Sequence, residues 1–266
     1  MQSGNYSGGI SSHLKSRRLT TVSILIALAL VIRFFSIMIF FGGAGGLRIS
    51  FTHVFTRLVA ILFGPFTGGL ASGIVDLLGY ILKPEGAFIP LLTVSAILCG
   101  MLAGLIWHLT GGMSLKRVRV PYILAFSLIG LMGLFNWLMT IWAPESPWSK
   151  LIASVGKYQN FLTIGLVVTA AVGFLFFAID RIQMKMKDKW PLQEDFFRIL
   201  FTVGITGLVE ATLNTIILRG AIPELGAIPF LVYWTPRIIV QLLMIVVQTY
   251  IVSLLLSIYK RNIKAS

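Results

Sequence analysis

Five ionisable residues stand inside long apolar runs of this chain: Arg33, Arg57, Asp76, Glu210 and Arg237. A charged side chain in hydrocarbon costs about 2.5–3.5 kcal/mol even on a lenient insertion scale, so each needs a partner, a water-filled cavity or a ligand. Counted along a helix from the nearer end of its run, each lies roughly 8–13 Å below the same membrane face. Two carboxylates can neutralise two of these three arginines, and one arginine is left over. Polar residues extend the same faces at helical spacing. His53 lies one turn from Arg57, Ser72 and Tyr80 flank Asp76, Thr206 and Asn214 flank Glu210, and Gln241 and Gln248 share a face with Arg237. Such stripes serve interhelical hydrogen bonding or a binding pocket. With Arg48, Lys83 and Arg219 at the outer rim, the summed field is positive and suits a small anionic solute.

Catalysis has less support in these residues. Asp76 and Glu210 could act as an acid–base pair, but the chain carries no HExxH, no GxSxG and no aspartate-rich diphosphate motif, so no enzyme is expected. Gly156-Lys157 lacks the upstream glycine and the following Ser or Thr of a phosphate-binding loop. Energy for any active transport would have to come from a partner or an ion gradient. His13, His53 and His108 show no metal-ligand spacing, so no metal and no cofactor is expected. Cys99 is the sole cysteine, which excludes an internal disulfide.

The elements that would position these groups are membrane helices. A mean hydropathy of +0.91, with 57% hydrophobic and 12% charged residues, exceeds what a water-soluble core needs and makes the bilayer the main solvent. The net charge of +13 falls in short clusters between apolar runs, which fits an anionic membrane face and argues against nucleic acid. Runs of about 20 apolar residues cover Leu19–Phe41, Pro90–Leu109, Pro121–Trp142, Phe161–Asp180, Phe196–Leu218 and Phe230–Tyr259. Residues 49–82 add two shorter helices, broken by Gly64, Pro65, Gly68 and Gly69. The expectation is an all-α integral membrane protein with eight helices. Of the 22 Lys and Arg residues, fourteen then fall in the loops and tails of one face and five at the other, which puts both termini in the cytoplasm.

Several segments together resemble the S components of energy-coupling factor (ECF) transporters, of the folate type. They are Leu47-Arg48-Ile49-Ser50-Phe51, Leu62-Phe63-Gly64-Pro65, Asp76-Leu77-Leu78-Gly79 with Pro84, Thr93-Val94-Ser95-Ala96, Leu213-Asn214-Thr215 and Thr235-Pro236-Arg237-Ile238-Ile239. The resemblance implies a substrate-binding subunit for a vitamin, working with a transmembrane coupling subunit (the T component) and two cytoplasmic ATPases in the plasma membrane of a bacterium. It implies substrate contacts at Arg48, Ser50, Lys83, Phe88, Thr93, Asn214 and Arg237, to which the residue pattern adds Arg33, His53, Arg57 and Asp76. Phe88, Tyr233 and Trp234 are the aromatic residues expected to stack on a ring. Ser23 and Ala27 match the family's small-xxx-small motif for docking on the coupling subunit.

The expected layout is a cytoplasmic tail (1–18), four core helices (19–112), an inserted two-helix hairpin (113–190) and the last two core helices with a cytoplasmic tail (191–266). The hairpin departs from the family's six helices, and the second helix, Thr52-His53-Val54-Phe55-Thr56-Arg57, is more polar than the family's. The leading expectation is thus ATP-driven uptake of an anionic, folate-like vitamin by a protein surrounded by lipid. A standalone proton-coupled transporter and a non-transporting scaffold remain alternatives. Enlarging Ala27 to Trp is expected to block uptake while leaving ligand binding intact. Uptake by cells, measured beside binding to the purified variant, checks this, and unimpaired uptake would move the docking surface elsewhere.

Overall fold

The computed structural model describes residues 6–41, 44–84, 86–112, 115–154, 156, 159–185 and 195–265. The chain runs from α1 (Tyr6–Phe34) into an antiparallel hairpin, β1 (Ile37–Phe41) and β2 (Ala44–Ile49), in which Ile37 pairs with Ile49 and Met38 with Arg48. The helices α2 (Thr52–Phe63), α3 (Pro65–Leu82) and α4 (Pro90–Leu109) follow. Next come α5 (Leu115–Trp142), the short α6 (Pro147–Ala153), and a π-helical turn at Phe161–Gly165 that leads into α7 (Leu166–Lys185). The chain closes with α8 (Phe196–Ala221), the short α9 (Pro223–Gly226) and α10 (Phe230–Ala265).

Six helices among the described residues are long and apolar enough to cross a membrane: α3, α4, α8, and the segments Tyr122–Trp142, Leu162–Ile179 and Phe230–Arg261. The structure differs from the all-α, eight-helix expectation in two ways. Ten helices are described, because α6 and α9 form within the α5–α7 and α8–α10 connections. In addition, the first helix ends at Phe34 rather than Phe41, and Ile37–Phe41 pairs as a strand. That pentapeptide, Ile-Met-Ile-Phe-Phe, is rich in the β-branched and aromatic residues that suit a strand, and a short apolar run gives no periodicity to separate helix from strand.

The expected break between two short helices forms at Gly64, whose φ of 91° lies in the region that favours glycine. Pro65 then starts α3 at its first turn, where no amide hydrogen is needed. α2 has 12 residues, about 18 Å of helix, and lies in the middle of the bundle against α1, α3, α4 and α10. Its Val54, Leu58 and Ile61 join Phe197, Ile199 and Val203 of α8 and Val246 and Val252 of α10 in one buried cluster. On the other side, α3 and α4 meet through small residues. A Cβ added at Gly100 would collide with Ser72 Oγ and stand 2.6 Å from the Gly68 carbonyl oxygen, and one at Gly104 would come within 2.5 Å of Pro65 Cα. Backbones this close suit a medium that offers no hydrophobic drive between helices.

The expected inserted hairpin is α5 and α7 packed on each other. Asn136, buried within it, donates to the Leu162 carbonyl (2.9 Å) and accepts from Trp148 Nε1 (3.0 Å). Tyr122 donates to the Gly173 carbonyl and packs edge-on against Phe197 of α8 at 5.4 Å, which ties the hairpin to the core. Gly100→Ala is expected to lower the thermal unfolding temperature in detergent, since overpacking of this kind costs roughly 1–3 kcal/mol. An unchanged melting temperature would show that α3 and α4 separate easily.

Candidate functional site

Helices α1, α2, α3, α4, α8 and α10 wall a cavity of about 310 Å³, and Arg33, Arg57, Asp76, Glu210 and Arg237 all line it. The five intramembrane charges picked out by depth therefore converge on one space. Among the described lining residues, three guanidinium groups face two carboxylates.

The charges are arranged in linked sets. Arg57 Nη2 donates to Glu210 Oε2 at 2.8 Å and its Nη1 donates to Gln248 Oε1 at 3.0 Å, with the arginine side chain 4% exposed. Gln248 donates in turn to the Ser50 carbonyl at 3.3 Å, so α2, α8, α10 and the end of β2 share one network. His53, one turn before Arg57, brings Nδ1 to 3.4 Å from Glu210 Oε1. Asp76 accepts from Arg33 through Oδ1 (3.3 Å) and from Thr93 through Oδ2 (2.7 Å). Arg33 reaches Asp76 by lying across Gly79: a Cβ there would stand 2.5 Å from the guanidinium carbon. Arg237 donates to the Tyr233 hydroxyl at 2.9 Å, one turn back on α10, and its charge sits 5.1 Å from that ring's centre.

The other expected contacts sort as follows. Ser50, His53, Phe88 and Asn214 line the cavity. Asn214 accepts from Ser95 at 2.5 Å, which fixes α8 against α4. Thr93 stands behind Asp76 as its hydrogen-bond donor. Lys83 is absent from the lining and donates to the Phe34 and Ser36 carbonyls (3.3 and 3.4 Å), at the end of α1. Arg48 belongs to β2, and its side chain lies outside the described residues. Of the expected stacking residues, Phe88 is 43% exposed and packs against Tyr80 with ring centres 5.0 Å apart. Tyr233 is buried against Arg237, and Trp234 donates to Thr212 at 3.1 Å, so neither ring lines the cavity. Ser23 and Ala27 are exposed along α1.

Residue-type reasoning passed over Gly79 as a part of the site. Its signal was a glycine in a helix three residues after an aspartate inside an apolar run, where a side chain from a neighbouring helix needs passage. Ser95 and Thr212 were also passed over, being polar residues that differ in no visible way from other helix-packing hydroxyls.

Fold and site together define a multi-helix membrane protein built around a polar, solute-sized cavity. The sequence model of the ECF transporter substrate-specific component matches residues 17–222, and the chain belongs to that family. Membership implies a T component and ATPases as partners. Among curated proteins, the folate transporter FolT of Clostridium novyi (strain NT) is 29% identical over 133 residues, which is 50% of this chain and 69% of that protein. No solved structure matches.

Removing one member of a buried ion pair leaves its partner uncompensated, at a cost of about 3–5 kcal/mol, whereas an apolar replacement of both is often nearly neutral. Arg57→Met is therefore expected to destabilise the protein more than Arg57→Met combined with Glu210→Met. Thermal unfolding of the three proteins in one detergent checks the order, and a double variant less stable than the single one would contradict it.

Proposed function

We propose that this chain is the solute-capturing subunit of an ATP-driven importer in a bacterial plasma membrane, taking up a folate-like anion from the outer face. The observation that carries the reading is the meeting of three guanidinium groups, from α1, α2 and α10, around one cavity. Guanidinium forks match carboxylates in shape and charge, and in a water-poor site such bonds are about twice as strong as neutral ones. Tyr80 and Phe88 add ring faces at the same cavity, against which a planar heterocycle can stack. A volume of about 310 Å³ falls at the small end of ligand sites, which suits a vitamin-sized guest. The relative in Clostridium novyi supports folate as the first solute to try.

Binding alone moves nothing across a membrane. The chain has no phosphate-binding loop, so the coupling subunit and two ATPases implied by the family would supply the work. Ser23 and Ala27 offer the small, exposed surface on α1 that would seat against that coupling subunit. In this reading the whole subunit reorients to release its cargo, with both termini in the cytoplasm, where most of the Lys and Arg loops would lie.

Calorimetric titration of the purified protein with folic acid is expected to show tight binding. Arg237→Ala should remove about 2–5 kcal/mol of it while the protein stays folded. Uptake of labelled folic acid by cells should require co-expression of the coupling subunit and the ATPases. Equal affinity in Arg237→Ala would take that guanidinium out of the binding site, and uptake driven by a proton gradient without ATPases would favour a standalone transporter.

A further inference from the structure

The cavity does not present its buried charges to an occupant equally. Arg57 and Glu210 have side chains only 4% and 10% exposed, whereas the His53 side chain beside them is 41% exposed and lines the cavity. All three line the cavity, and His53 is the most exposed of them. Glu210 Oε2 already accepts from Arg57, and Oε1 stands 3.4 Å from His53 Nδ1. A carboxylate only accepts, so Oε1 at this distance favours the neutral imidazole whose single proton is on Nδ1, the form in which Nε2 keeps a bare lone pair.

That lone pair is an acceptor set among charged donors. Arg33, Arg57 and Arg237 can only donate. Each oxygen of Asp76 already takes a hydrogen bond, one from Arg33 and one from Thr93. Asn214 accepts from Ser95 through its oxygen, and its amide nitrogen only donates. The donors suit the acidic part of a guest, and Nε2 of His53 suits a part that itself donates.

We infer that His53 is a specificity-determining residue of this cavity: the Arg57–Glu210 pair holds it as the Nδ1–H tautomer, and its Nε2 accepts a hydrogen bond from an N–H group on the ligand. The substrate class is then an anionic heterocycle that carries a ring or exocyclic N–H, rather than a purely aliphatic acid. This rests on the reading of the cavity as the solute site. An acceptor left unmet in such a site penalises analogues that lack the donor, which is how one group gives selectivity.

Two measurements on the full-length protein test it. With nitrogen-15-labelled histidine in lipid nanodiscs near neutral pH, ring-nitrogen chemical shifts report the tautomer, and His53→Gln identifies the signals of His53. The expected result is a protonated Nδ1 and a bare Nε2, with Glu210→Gln shifting the population towards Nε2–H. A wild-type imidazole protonated on Nε2, or on both nitrogens, overturns the assignment whether or not any ligand is known, and needs no variant of Glu210 to fold. The second measurement uses folic acid as the probe. His53→Leu should weaken its binding by about tenfold, the worth of one buried hydrogen bond, and His53→Gln, whose amide oxygen can take the place of Nε2, should recover most of the loss. Equal binding by His53→Leu and wild type overturns the proposal. Folic acid that fails to bind the wild type sinks the folate reading instead, and the tautomer then decides the role of His53.

Discussion

Arg57 lies in the middle of the bundle on a helix of 12 residues, and its charge is tolerable there because Glu210 of α8 and Gln248 of α10 both reach it. Those two partners come from helices far along the chain, so the bundle cannot close correctly until α2, α8 and α10 are in register. The apolar cluster of Val54, Leu58, Val203 and Val246 forms around the same three helices and puts packing and charge compensation in the same place. The opposite wall carries one charge, Asp76, and is held mainly by close packing. There α3 and α4 approach through glycines and Ser72, which brings Asp76 and Thr93 within hydrogen-bond reach. The cavity is the space left between a charged seam and a close-packed one.

Two uses of the basic residues stand out. Arg33, Arg57 and Arg237 line the cavity. Others sit at the carboxyl ends of helices, where unpaired carbonyls and the negative end of the helix dipole attract cations. Lys83 bonds the Phe34 carbonyl at the end of α1, and Arg18 bonds the Phe63 carbonyl at the end of α2 at 2.9 Å. Arg198 bonds the Trp107 carbonyl near the end of α4 at 2.6 Å, with its charge 3.7 Å above that residue's ring. A net charge of +13 is therefore partly a record of how the helices end, and only partly a field for a guest or a membrane face.

This division explains which parts could be read from residue order. The cost of charge in hydrocarbon is so large that depth alone marked out Arg33, Arg57, Asp76, Glu210 and Arg237, and all five line one cavity. The pairing among them was not legible, because which arginine meets which carboxylate depends on how the helices are arranged around one another. Lys83, expected among the substrate contacts, stands outside the cavity lining on the carbonyls of Phe34 and Ser36, and residue order hid this for a related reason: a lysine at an outer helix end looks the same whether it faces a solute or a neighbour's carbonyls. Tyr233 was read as a stacking ring, although its spacing of four before Arg237 also allowed the hydroxyl contact that is present. The strand at Ile37–Phe41 was hidden by being as apolar as the helix before it. The break at Gly64-Pro65 was plain, since glycine and proline there leave few conformations.

Gly79 ties two helices together in what they can become. A methyl group at that position and the present course of Arg33 exclude each other, because the guanidinium occupies the volume a side chain would need. Alanine at position 79 forces the arginine onto another course past α3, and loss of the arginine leaves Asp76 without the cation that compensates it. Positions 33 and 79 therefore vary as a pair rather than one at a time.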